Sequence, residues 1–188
     1  MIEHKFSYES LMGGWYISEN ICDDLILFYE KNKDKAKSGK VVDGDTEICD
    51  NMRMSLSTSN PDISFKNYVE ELQKVLDLYN QKYIETQNFP TYQIEDFTKI
   101  QKYEPSQGYK VWHYENDGFE NKNRFLVFMT YLNNVHDGGT QFKYQNITLP
   151  AKKGLTLIWP AFWTHTHRGQ VSHTKEKYII TGWFSFNE

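Results

Sequence analysis

FLVFMTYLNNVHDGGTQFKYQNITLPAKKGLTLIW, Phe125–Trp159, is the stretch whose reading decides the fold. It is a succession of short β-rich runs, Phe125–Leu132, Gln141–Tyr144 and Leu155–Trp159, separated by the turn signals Asp137-Gly-Gly139 and Lys152-Lys-Gly154. Strands this short and this closely spaced leave no room for crossover helices, so they predict antiparallel sheets in a sandwich, barrel or jelly roll. The same texture extends outward. Phe97–Tyr103 and Tyr109–Tyr114 precede it and Lys177–Phe186 follows, with Pro105-Ser-Gln-Gly108 and Asn116-Asp-Gly118 as further turns. Before about Tyr92 the pattern is different. Phe65, Val69, Leu72, Leu76, Tyr79 and Tyr83 recur at three- and four-residue steps, which predicts a helix over Pro61–Tyr83 with one apolar stripe. A shorter helix is expected after Ser18, failing in the charged run Lys31–Lys40. The expectation is one domain over residues 1–188, with a helical N-terminal part at about 1–91 and a β core at about 92–188. In class terms it is mainly β with N-terminal helices (α+β).

Composition limits the function. With 188 residues and a formal net charge of −4, a dedicated nucleic-acid binder is not expected, though a local basic groove stays open. Cys22 and Cys49 are the only cysteines, too few for a disulfide framework, so a reducing, cytoplasmic setting is expected. Met1–Tyr16 lacks a continuous apolar run, and no stretch reaches the roughly 18 apolar residues of a membrane span, so neither a signal peptide nor a membrane partner is expected.

The chemistry concentrates in His113-Tyr-Glu115 and Trp163-Thr-His165-Thr-His167-Arg-Gly169. In extended chain, residues two apart point to one side, so His113 and Glu115 can face the same metal. His165 and His167 are both candidates for a third ligand. Two histidines and a carboxylate form a facial set that leaves coordination positions open on non-haem iron. Asp117 is a second candidate carboxylate, but its turn-like Asn116-Asp-Gly118 setting favours Glu115. His136 and His173 lie in polar loops and are expected at the surface.

From about Lys99 to Phe186 the chain resembles the prolyl 4-hydroxylase-like family of 2-oxoglutarate/Fe(II) dioxygenases. The resemblance rests on an ordered series: Tyr103-Glu-Pro105, Gly108-Tyr109, His113-Tyr-Glu115, Arg124, Tyr131-Leu-Asn133, Gly138-Gly-Thr140-Gln-Phe142, Pro150-Ala-Lys-Lys-Gly154, His167, Lys177 and Trp183. Two positions depart from the pattern. Glu115 stands where the family has aspartate, and the glycine-rich stretch lacks the family's glutamate.

The resemblance implies a double-stranded β-helix (jelly roll, cupin-like) core and an oxidoreductase that hydroxylates an unactivated C–H bond with dioxygen and 2-oxoglutarate, releasing succinate and carbon dioxide. It implies His113, Glu115 and His167 as metal ligands, His167 being preferred to His165 because ten residues separate it from Lys177. Lys177 is implied as the partner of the remote carboxylate of 2-oxoglutarate, with Tyr103 and Tyr131 as hydroxyl partners. Ascorbate is implied as a reductant that sustains turnover. The expected substrate is a peptidyl proline, with a free amino acid or small molecule as the alternative, and Arg124 and Trp112 as candidate contacts. Two other readings stay open: a non-catalytic metal-binding jelly roll, and a zinc hydrolase, which would have no use for Lys177, Tyr103 or Tyr131.

Overall fold

The computed structural model describes residues 1–43 and 46–187. In chain order its regular elements are β1 (Ile2–Glu3), β2 (Gly13–Tyr16), α1 (Glu19–Lys31), β3 (Lys37–Ser38), β4 (Val41–Asp43), β5 (Thr46–Cys49), β6 (Met52–Leu56) and α2 (Ile63–Lys82). These are followed by β7 (Tyr92–Ile94), β8 (Thr98–Tyr103), β9 (Arg124–Tyr131), β10 (Val135–Phe142), β11 (Ile147–Ala151), β12 (Leu155–Pro160), β13 (His167–Gly169) and β14 (Lys177–Phe186). Short 3-10 turns connect several of them.

A nine-stranded sheet runs in the order β1-β2-β12-β9-β14-β8-β6-β3, with β7 also paired to β14. A three-stranded sheet, β11-β10-β13, and a β4-β5 hairpin complete the pairing, all of it antiparallel. This is the expected jelly roll. The central strands are buried almost end to end, because both faces of the large sheet are covered. Alternation assigns their side chains to two cores. Phe128, Ile158, Ile180 and Phe184 pack with Leu72, Val75, Leu76 and Tyr79 of α2 and Leu25 of α1 on the outer face. Val127, Met129, Tyr131, Trp159, Ile179 and Trp183 join Val135, Phe142, Leu149 and Ala151 of the small sheet on the inner face.

Polar atoms between α2 and the sheet are paired. The Tyr68 hydroxyl lies 3.0 Å from Thr130 Oγ1, itself 2.8 Å from Thr156 Oγ1. On the other side of the large sheet, β10 bends between Val135 and Thr140, where its register with β11 shifts. Gly139 sits in that bend. A Cβ there would lie 1.8 Å from the Leu149 carbonyl oxygen, so the close approach of β10 to β11 requires glycine.

Two expectations need correcting in detail. The N-terminal part carries strands as well as helices: β2 extends the sheet beyond β12, and β6 and β3 extend it beyond β8. Gly13-Gly-Trp-Tyr16 is too short and too glycine-rich to read as a strand by itself; its partner β12 makes it one. Tyr109–Tyr114 is not a regular strand. It holds single bridges, Tyr109 to Cys49 and His113 to His167, and breaks register between them. Its backbone is divided between two neighbours. Lys110 N–H donates to Ile48, while Gly169 N–H donates to the Tyr109 carbonyl.

Candidate active site

The bridge between His113 and His167 brings together two parts of the chain that no hairpin connects. His113 N–H donates to the His167 carbonyl at 3.0 Å, and His167 N–H returns the bond at 2.9 Å. The two imidazoles therefore stand side by side, ring centroids 4.3 Å apart. Glu115 N–H and Asn116 N–H both donate to the Ala161 carbonyl, which turns the Glu115 side chain back toward the histidines. Glu115 Oε1 lies 3.5 Å from His113 Nε2 and 3.7 Å from His167 Nε2. One ligand atom from each of the three residues falls within 4.8 Å of the others.

The remaining polar atoms of the trio are engaged so as to aim these three inward. His113 Nδ1 lies 3.2 Å from the Val111 carbonyl oxygen, and His167 Nδ1 lies 2.9 Å from that of His165. With Nδ1–H donating to a backbone oxygen, each ring presents the lone pair of Nε2. Tyr109 stacks on the His113 ring at 3.7 Å, and Trp159 and Phe142 enclose His167. Glu115 Oε2 accepts a 2.9 Å hydrogen bond from Trp183 Nε1. This bond steadies the extra methylene that Glu115 has over an aspartate.

Burial alone would raise the Glu115 carboxyl, but the hydrogen bond and charge of His113, with the charges of His167 and Arg124, hold it below its usual range. Burial, reinforced by His113, pushes the His167 imidazole down to about 4. An ionised carboxylate and a neutral imidazole are the forms that bind a divalent metal.

The trio opens into a cavity of about 390 Å³, within the range of small-molecule sites. Lys177, at the start of β14, lies on its wall and is 4% exposed. Its ammonium donates to the carbonyls of Gly138 and Gln170, each at 2.9 Å, and faces the Tyr103 ring at 5.0 Å. No carboxylate among the described residues comes within ion-pair range of it. Burial pushes this lysine down to about 8, against the opposing charges of Asp137 and Cys49. Gly169 adjoins the ammonium, where an added Cβ would sit in van der Waals contact with Nζ at 3.8 Å. Two nitrogens and one carboxylate oxygen beside an unmatched cation fit a metal chelated by an anionic ligand whose far end reaches Lys177.

Tyr103 and Tyr131 also line the cavity. The Tyr131 hydroxyl is 2.6 Å from Thr140 Oγ1, and the Tyr103 hydroxyl donates to Gln101 Oε1, which Asn51 Nδ2 also donates to. Arg124 reaches the cavity as well, its guanidinium 3.7 Å over the Trp183 ring and its Nε 3.2 Å from Glu95. Trp112 is not brought to the cavity. It lies beneath the Arg168 guanidinium, 4.5 Å away, and is 38% exposed.

The competing ligands are occupied elsewhere. His165 is buried, with Nε2 2.9 Å from the Ser10 carbonyl oxygen and Nδ1 3.0 Å from Thr164 Oγ1. Asp117 is exposed at the cavity mouth and accepts from Asn121. His136 and His173 are exposed. Trp183 entered the sequence reading only as a landmark, and Lys99, Gln101, Asn51 and Arg53 not as site residues. Period-two alternation would have found several of them. Counting from Lys177 along β14 gives Ile179, Thr181 and Trp183 on the same face, and counting back from Tyr103 along β8 gives Gln101 and Lys99.

Residues 98–185 match the family model of the 2OG-Fe(II) oxygenase superfamily. No curated protein sequence matches the chain. Among solved structures, a viral collagen prolyl hydroxylase from Paramecium bursaria Chlorella virus-1, as its 2OG complex, is similar with a TM-score of 0.73 and 18% identity, over 94% of this chain and 97% of that one. A prolyl-4-hydroxylase from Pseudomonas putida gives 0.70 and 14% identity over 96% and 97%. A prolyl hydroxylase from Trichoplax adhaerens, in complex with a hypoxia inducible factor peptide fragment, gives 0.69 and 12% identity over 94% and 84%. At these identities the likeness establishes the fold.

Proposed function

We propose that this chain is a 2-oxoglutarate-dependent dioxygenase that uses Fe(II) and hydroxylates a prolyl residue of a peptide with the side chains assembled above, a reading supported by the match of residues 98–185 to the 2OG-Fe(II) oxygenase superfamily model. His113 Nε2, Glu115 Oε1 and His167 Nε2 hold the iron in this reading, and Lys177 receives the remote carboxylate of 2-oxoglutarate. Bound iron, 2-oxoglutarate and dioxygen together supply the oxidising power that converts C–H to C–OH, with succinate and carbon dioxide as coproducts.

The chain's own residues do the rest. The Nδ1 contacts of both histidines orient their Nε2 atoms toward Glu115 and the metal position, and Trp183 keeps one Glu115 oxygen off the metal side. Tyr103 and Tyr131 line the same cavity as the lysine, and their hydroxyls, held by Gln101 and Thr140, are the proposed further donors to the carboxylate. Trp159, Phe142, Val127 and Met129 make the surrounding wall apolar and keep water from the reacting centre.

The observation that carries the reading is the buried Lys177 ammonium without an anionic partner, in the same cavity as the His-Glu-His trio. A buried charge left unpaired is costly, and a diacid spanning from metal to lysine removes that cost. The prolyl substrate is supported by the prolyl hydroxylases of the same fold, one holding a peptide. The free, buried thiols of Cys22 and Cys49 support a cytoplasmic setting, and among the described residues no helix is long and apolar enough to cross a membrane. Ascorbate is the proposed reductant, on the family resemblance.

The test is 2-oxoglutarate affinity measured anaerobically with Fe(II), together with succinate release on proline-containing peptides. Charge-assisted hydrogen bonds contribute about 1.5–3 kcal/mol, so Lys177→Ala should weaken 2-oxoglutarate binding roughly tenfold to a hundredfold or more while metal affinity stays the same. Equal affinities for the two proteins would remove the cosubstrate role and, with it, this reading.

A further inference from the structure

Lys177 is not the only unmatched cation in the cavity. The inner face of β6 and β8 carries the exposed Arg53 and the half-buried Lys99, and both line it. Register places them side by side: Arg53 is the partner of Gln101, and Lys99 is the partner of Ser55 on one flank and Thr181 on the other. The Lys99 ammonium lies 4.6 Å from the centre of the Trp183 ring, the ring whose Nε1 holds Glu115. A single indole therefore separates this ammonium from the metal-ligand set.

We propose that the substrate carries a carboxylate close to the carbon that is hydroxylated, and that Lys99 and Arg53 receive it. The inference rests on the oxygenase reading and names the substrate class for it.

The charge inventory points that way. Three cations crowd one end of the cavity, Arg53, Lys99 and Arg124. Arg124 is engaged, with Nε on Glu95 at 3.2 Å and Nη1 3.4 Å from the Glu115 carbonyl oxygen. The acids on the lining are Glu115, turned to the histidines and Trp183, and Asp117, exposed and bonded to Asn121. Among the described residues no carboxylate comes within ion-pair range of Lys99 or Arg53. Lys99 is half-buried, and its burial, with the like charges of Arg53 and Arg124, disfavours its cationic form. The sheet thus gathers Lys99, Arg53 and Arg124 beside the reacting centre, while the acids that oppose them, Glu115 and Glu95, are engaged by Trp183 and Arg124, an arrangement that a bound anion relieves.

A carboxylate matches both donors. Lysine offers a compact charge and arginine a planar fork suited to two oxygens. The position limits where that carboxylate sits. Only the Trp183 ring stands between Lys99 and Glu115, so the carboxylate is assigned to the hydroxylated residue itself or to its neighbour. That leaves two sources: the α-carboxylate of a free or C-terminal amino acid, or an acidic side chain adjacent to the proline.

The experiment compares matched probes by calorimetry, on protein loaded anaerobically with Fe(II) and 2-oxoglutarate. N-acetyl-L-proline against N-acetyl-L-prolinamide tests the α-carboxylate. Doubly blocked Asp-Pro-Ala and Ala-Pro-Asp against Ala-Pro-Ala test the acidic neighbour. One acid of these pairs should bind at least tenfold more tightly than its neutral counterpart. That preference should fall several-fold in Lys99→Met or Arg53→Gln and vanish in the double variant, with 2-oxoglutarate affinity changed less than twofold. Lys99→Met keeps an unbranched stem against Trp183, so the fold is retained. Equal binding of acid and neutral probes, no binding of any probe, or a preference that survives the double substitution would each overturn the assignment. The oxygenase reading is judged separately, by the effect of Lys177→Ala on 2-oxoglutarate.

Discussion

A lysine held at 4% exposure with two carbonyls for company has a titration that binding should reveal. Its ammonium loses its proton near pH 8 in the cosubstrate-free protein, because burial disfavours the charge. Only the cationic form offers the ion pair. The 2-oxoglutarate dissociation constant should therefore be flat from about pH 6.5 to 7.5. Above 8 it should rise by roughly tenfold per pH unit, until the higher pKa of the bound state is passed. The sign for stability is the opposite. Between about 8 and 10.5 the unfolded chain binds the proton that the folded chain has released, so the cosubstrate-free protein gains stability over that interval. Calorimetric titrations at half-unit steps on wild type and Lys177→Met check the first statement. A wild-type curve as flat as the variant's above pH 8 would detach Lys177 from the cosubstrate. At this scale the sequence was most readable where chemistry demands a particular residue type: His113, Glu115, His167 and Lys177, the residues that the family resemblance implied as metal ligands and cosubstrate partner, line one cavity. It was least readable where the role is to aim another group, as with Trp183, Gln101 and Asn51, whose side chains act only once three strands are laid side by side.

Among the elements, β10 links the small sheet to the cosubstrate end of the cavity. Gly138 gives its carbonyl to Lys177, Thr140 meets the Tyr131 hydroxyl, and Gly139 between them lies against the Leu149 backbone. Gly139→Ala forces a Cβ into a space of 1.8 Å bounded by backbone, which cannot swing aside as a flexible side chain would. Overpacking of this kind costs about 1–3 kcal/mol, and β10 must shift to relieve it. The expected result is a loss of that size in urea unfolding together with weaker 2-oxoglutarate binding, because the Gly138 carbonyl moves with the strand. Gly118→Ala, where a Cβ meets nothing within 4 Å, should change neither and serves as the control. Unchanged stability in Gly139→Ala would mean that β10 and β11 are not packed as described. The long elements were legible for a simple reason. α2 shows a helical period over twenty residues and β14 an unbroken run of mostly strand-forming residues over ten, whereas β2 and β6 are four and five residues and owe their conformation to partners far away in sequence. The Tyr109–Tyr114 segment misled because its composition favours a strand while its hydrogen bonds are divided between two neighbours.

For the molecule as a whole, the trio ties an irregular connection to the sandwich. His113 and Glu115 lie in the segment between β8 and β9, which contributes only isolated bridges, while His167 begins β13. A metal ion joining all three binds the folded chain and finds no such set in the unfolded one, so it must stabilise the fold by mass action. At a free concentration about a hundred times the dissociation constant the gain is roughly 2.7 kcal/mol. For a chain of 150–250 residues that corresponds to a rise in melting temperature of roughly 5–10 °C. Mn(II) is a suitable probe because it can be used in air. 2-Oxoglutarate should add a further increment in wild type that Lys177→Ala lacks, although that variant keeps the metal's own increment. Glu115→Ala should lose both increments. Asp117→Ala should keep both, since that carboxylate is bonded to Asn121 at the cavity mouth. The pattern across the four proteins is diagnostic because general electrostatic binding of Mn(II) to an acidic chain would raise all of them alike. An undiminished shift in Glu115→Ala would place the ion elsewhere and leave the His-Glu-His trio without its metal.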